Sequence, residues 1–159
     1  MLPKADLNKV ISTLEAMKNY ELKLADFYSS CAKIWKEGET FWRALADAEV
    51  KHAENIEQMK HIIEQRPERF EIGRPFNHVA INTALSYIEE YSKKIAEKTC
   101  PLDKVLFAFR DIEKSILESY YVEIVKTKDI EYQTLMKDIL SQTLEHKKVI
   151  EKKIEEIKG

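Results

Sequence analysis

The chain has 159 residues, 34% of them charged with both signs interleaved, and a formal net charge of −2. That length fits one domain with a proper core, and the balanced charge excludes a strongly basic nucleic-acid face or membrane-binding patch. Three glycines and four prolines among abundant Lys, Glu, Ile, Leu and Ala exclude a turn-rich β fold and predict an all-α protein.

The first ten residues, "MLPKADLNKV", hold no apolar run of the length a secretory signal requires, and nowhere do eighteen apolar residues follow one another. A soluble cytoplasmic protein is expected, with neither nucleic acid nor membrane as partner. Cys31 and Cys100 are isolated, so they read as buried or idle thiols and not as a zinc ribbon or a dithiol centre.

In chain order, apolar positions at helical spacing predict a first helix from about Asp6, as N-cap, to about Trp35, where "KEGE" breaks it at Gly38. Thr40 is placed to cap a second helix running to about Gln65. Residues 66–77, "RPERFEIGRPFN", read as the one real loop. A third helix over about 78–98 follows, with Ile81, Leu85, Ile88, Tyr91 and Ile95 on one stripe. Pro101 then opens a fourth helix to about Thr127, and a last one covers about 129–157. The expected architecture is one domain over residues 1–159. Helical hairpins at about 6–65 and 101–157 form a four-helix bundle, joined by a helical crossover over 66–100 of the kind found in ferritin-like folds.

The stripe of the second helix contains polar residues. Each helical residue turns by about 100°, so relative to Leu45 Phe41 falls at about −40°, Glu49 at about +40°, His52 at about −20° and Ile56 at about +20°. Leu135, Ile139, Thr143, His146 and Ile150 repeat those angles in the last helix, with Thr143 where the glutamate stood. The alternative register, using Glu145 and Lys148, puts both about 120° off the apolar stripe and is rejected. A second repeat joins the first and fourth helices: Leu14, Glu21 and Tyr28 are spaced by seven, as are Leu106, Glu113 and Tyr120. Glu21 lies about 21 Å from the end of its helix and His52 about 18 Å from the start of the next, so an antiparallel hairpin sets them level. The same sum holds for Glu113 with Thr143 and His146.

Buried carboxylates without partners are costly, so three inward glutamates and two inward histidines call for hydrogen bonds or a cation. Glu-x-x-His at one helical turn aims an oxygen and a nitrogen at one point, and carboxylates from neighbouring helices can bridge two ions. Iron or manganese suits such donors, and zinc would be accepted. Taken singly, each glutamate reads first as an edge residue, each histidine as a satisfied core histidine, and the tyrosines as packing residues. Their convergence at one level is what favours a shared site.

At these residues the chain resembles the rubrerythrin-like branch of the ferritin-like superfamily. "YELKLADFY" and "IEKSILESYY" look like that family's first-of-pair helices, and "FWRALADAEVKHAENI" looks like its Phe-x-x-Leu-Ala-x-x-Glu-x-x-His helix. The resemblance implies a di-iron carboxylate centre that reduces O2 or peroxide or oxidises Fe(II), with Glu21, Glu49, His52, Glu113 and His146 as metal ligands. Glu49 would bridge, the histidines would anchor one ion each, and Glu21 and Glu113 would cap the ends. Thr143 stands at the sixth ligand position, which removes one carboxylate, makes a single ion or a lopsided pair plausible and leaves room for O2 or peroxide beside its hydroxyl. Ile116 stands where rubrerythrins proper carry a further glutamate, and no rubredoxin-type cysteine cluster exists, so an external electron donor is required. Dimerisation is a family-level expectation. Two alternatives are metal carriage without turnover and a metal-free helical module, structural or interacting, that has lost the catalytic centre.

Overall fold

A computed structural model describes residues 2–74, 78–115 and 122–159. Five long helices dominate these residues: α1 (Lys4–Ile34), α2 (Glu39–Gln65), α3 (His78–Ala96), α4 (Leu102–Ser115) and α5 (Ile130–Lys158). The first expected N-cap, Asp6, lies within α1, which starts directly after Pro3. Likewise Thr40 lies inside α2, and Gly38 occupies the position before it. Trp35 and a three-residue 3-10 turn, Lys36–Gly38, are all that separate α1 from α2, so the two fold back on each other. Their apolar stripes close together over Leu14, Met17, Leu24, Ile56, Met59 and Ile63, all essentially sealed from solvent. Outside that seam Lys18 of α1 reaches Glu57 of α2 and Lys60 of α2 reaches Glu15 of α1, and these two ion pairs bridge the hairpin.

The α4 helix packs along α5, α2 touches α5, and α3 lies against α1 through Ile81, Ile88 and Ile95. The turn after α3 is closed by Lys98, which adopts the left-handed conformation (φ 57°), with Thr99 N–H donating to the Lys94 carbonyl at 2.9 Å. The α5 helix starts where the sequence suggests. Asp129 caps it by accepting from Tyr132 N–H at 3.0 Å, and its buried carboxylate also receives Arg66 and Arg69 at 3.1 and 3.2 Å.

Two short strands correct the expectation of a sheet-free chain. β1 (Phe70–Ile72) pairs antiparallel with β2 (Val125–Thr127) in the register Phe70↔Thr127, Glu71↔Lys126 and Ile72↔Val125. The segment expected to be loop thus supplies one strand, and the fourth helix, expected to reach Thr127, gives way before the other. The physical reason is local: Ile124, Val125 and Thr127 are β-branched, and an extended partner lies alongside. Gly73 N–H donates to the Ile124 carbonyl at 2.8 Å and Arg74 N–H to that of Glu123 at 2.7 Å, which extends the pairing beyond the strands. Ile116 and Tyr120 lie outside the described residues.

Candidate metal centre

At one level the apolar stripes of α1, α2, α4 and α5 turn polar. Glu21, Glu49, His52, Glu113 and His146 are all buried there, none more than 8% exposed. Each sits on its stripe because residues seven apart, or three and four apart, share a helix face. Glu21 is thus held between Leu14 and Tyr28, and Glu49 and His52 between Leu45 and Ile56. Glu145 and Lys148, the rejected register, are exposed.

The five residues form two groups of three that share a member. Glu21, Glu49 and His52 bring one ligand atom each to within 4.8 Å of one another, and so do Glu49, Glu113 and His146. Glu49 divides its oxygens between them: Oε2 lies 3.3 Å from His52 Nδ1, and Oε1 accepts from His146 Nδ1 at 3.0 Å. Glu21 Oε2 and Glu113 Oε1 each stand 3.7 Å from the Nδ1 of their own histidine. The imidazoles are roughly parallel, with centroids 5.6 Å apart.

The surrounding side chains hold these groups in place. His52 Nε2–H donates to Gln142 Oε1 at 2.7 Å, which puts the proton on Nε2 and, in the neutral ring, the lone pair on Nδ1. That Nδ1 is buried beside two carboxylates and has no hydrogen bond of acceptable direction. A buried ring nitrogen facing two carboxylates calls for a cation, either a proton or a metal ion, so the donor set fits a metal. Tyr28 OH donates to Glu113 Oε1 at 2.8 Å. Thr143 is half-buried on α5, and its hydroxyl proton is committed to the Ile139 carbonyl at 2.8 Å, leaving only oxygen lone pairs to face a neighbour.

The electrostatics express a demand for positive charge. Burial and then the Glu49 carboxylate push the Glu21 carboxyl up to about 8. Burial works against the imidazolium of His52, but Glu21 and Glu49 outweigh it and raise that group to about 11. Burial opposes the charged form of His146 as well, and there Glu113 and Glu49 outweigh it and raise the group to about 9. Without a metal, protons supply the charge.

All five expected ligands therefore meet at one level, with Thr143 on the adjoining turn of α5. Sequence reasoning did not single out Gln142, whose place at the edge of the α5 stripe was the available signal. Tyr28 reads from the sequence as a packing residue; here its ring packs and its hydroxyl also donates to Glu113. A surface cleft of about 790 Å3 lined by Arg66, Arg69, Lys126 and Asp129 among others contains none of the site residues. No family model matches this chain, and no curated protein or solved structure matches it.

Proposed function

We propose that this chain is a ferritin-like, rubrerythrin-type protein that binds iron between its helices and acts as a non-haem iron oxidoreductase on O2 or peroxide. What carries the reading is Glu49: one buried carboxylate whose two oxygens serve two different Glu–His pairs. Were metal bound, Glu49 would serve both Glu–His groups, His52 and His146 would each donate a ring nitrogen to one of them, and Glu21 and Glu113 would add the remaining carboxylates. When bound, iron supplies the redox change and the Lewis acidity that O2 or peroxide reduction requires, with manganese or zinc as competing occupants.

The protein's own groups set the conditions. Gln142 fixes the His52 tautomer, Tyr28 orients Glu113 by donating to it, and Leu45, Ile56, Ile139 and Ile150 keep the level dry. The half-buried Gln142 and Thr143 mark the α5 side as the way in for a small oxidant. Thr143 supplies no negative charge, so the position served by His146 is expected to hold its ion more weakly than its counterpart. Electrons come from a separate donor.

A metal-free helical module is the second reading. It is favoured by the pairs that already satisfy one another, His146 with Glu49 and Tyr28 with Glu113. Purification without chelator followed by metal analysis separates the two. Iron, manganese or zinc bound in the native chain and lost in Glu49→Ala supports the proposal. No metal above background, unchanged by that substitution, overturns it. Thr143→Glu restores the missing carboxylate and is expected to raise the stoichiometry toward two.

A further inference from the structure

Three redox-capable rings form a continuous file leading out of the candidate metal centre. Tyr28, whose hydroxyl donates to Glu113 Oε1 at 2.8 Å, is fully buried. Its ring centroid lies 5.9 Å from that of Trp42, and Trp42 lies 6.0 Å from Trp35. Trp42 is buried, whereas Trp35, at the end of α1, is half-exposed. We propose that Tyr28, Trp42 and Trp35 are a one-electron relay between the buried carboxylate–histidine site and the protein surface.

Ring chemistry, not spacing, distinguishes this route from its neighbour. A second file runs from Tyr28 through Phe109 and Tyr91 to Tyr87 at the surface, with centroids 5.9, 5.8 and 4.9 Å apart. Its second member is a phenylalanine, which has neither a heteroatom lone pair nor an ionisable proton and is much harder to oxidise. The tyrosine–tryptophan file has no such gap. Packing alone would be served equally by phenylalanine or leucine, whereas each of these three rings can give up an electron at an accessible potential.

Charge and protons balance along the file. In the outward sense of hole transfer, Tyr28 gives one electron to an oxidised centre and its phenolic proton to Glu113 Oε1, forming a neutral tyrosyl radical. Trp42 then returns an electron to Tyr28 as Glu113 returns the proton, and Trp35 refills Trp42. An external one-electron donor finally reduces Trp35. In that sense the relay deepens the proposed function and rests on it. The file itself also conducts without metal: a hole placed on Trp35 passes inward and ends on Tyr28, with the proton moved to Glu113.

The test uses both states of the full chain. In the chelator-treated protein a flash-generated ruthenium(III) tris-bipyridine oxidises Trp35, and transient absorption follows the radical. The expected result is decay of the tryptophan signal into a tyrosyl signal that is lost in both Tyr28→Phe and Trp42→Phe. A tyrosyl signal that persists in Trp42→Phe, or none in the wild-type chain, overturns the relay. In the iron-loaded chain, oxidation by hydrogen peroxide should leave oxygenated Trp35 detectable by peptide mass spectrometry, lost in Trp42→Phe at equal iron content; undiminished oxidation there counts against it. Relay transfer in the chelated chain together with absence of iron binding would sink the iron reading and leave the relay standing.

Discussion

Among single residues, the protons on Glu21, His52 and His146 carry the clearest consequence. All three groups hold their protons more tightly folded than unfolded, since each is raised above its ordinary value, to about 8, 11 and 9 respectively. A raised group stabilises the fold fully below its unfolded value and loses that contribution as pH climbs through the folded one. The metal-free protein should therefore lose a few kcal/mol as pH rises from about 6 to about 9, a window in which Glu21 and His146 titrate. Asp129 works in the opposite direction. Burial opposes its charge, yet the Tyr132 N–H and the two arginines outweigh burial and hold it below the usual carboxylate range, so its contribution fades only in acid. Thermal melts of chelator-treated protein across that window should give a falling Tm, and Glu21→Gln should flatten the fall. A Tm that rises across it would refute the assignment of protons to the site. The same logic makes metal binding release protons, since a cation replaces what Glu21 and the imidazoles hold.

For the elements, the contrast lies between the helices and the small sheet. The helices were legible because stripes such as Ile81, Ile88 and Ile95, or Ile139, His146 and Ile150, repeat over many turns and are indeed buried. The two strands were not, because three residues are too few to display alternation, and Ile124 and Val125 sit in phase with the preceding helix. The signal that was available was the β-branched run Ile124, Val125, Thr127 opposite Ile72. Gly73 is the residue that permits their approach. A side-chain carbon there would overlap the Glu123 carbonyl oxygen and stand only 2.9 Å from the Ile124 carbonyl carbon, although the backbone at Gly73 is not left-handed. The glycine is needed for space, not for conformational freedom. Gly73→Ala is expected to cost about 2 kcal/mol by forcing the strands apart, read as a lower urea midpoint with an unchanged slope. An unaltered midpoint would mean that the pairing adjusts freely and contributes little.

At the scale of the whole molecule, the candidate site draws on four helices, and this is also where sequence reading had its limits. The inward position of each ligand followed from its own helix, because an angle on a wheel is a local property. The contacts that cross between helices, His52 with Gln142 and Tyr28 with Glu113, depend on which faces meet and by how much they slide, which no single stripe encodes. The cross-helix geometry gives the last prediction. An ion held by Glu21, Glu49, His52, Glu113 and His146 links α1, α2, α4 and α5 at once, so its binding energy stabilises the global fold and not one loop. With free Mn(II), chosen because it does not turn over under argon, at about a hundred times its dissociation constant, the gain is about 2.7 kcal/mol, or roughly 5–10 °C in Tm for a domain of this size. Amide exchange should slow in all four helices together. Glu49→Gln keeps the shape of the side chain but removes the shared charge, so it should abolish the Mn(II)-dependent rise measured from the variant's own metal-free melting temperature. An equal rise in wild type and Glu49→Gln would place the ion elsewhere on the protein, and protection confined to one hairpin would mean that only one of the two Glu–His groups binds.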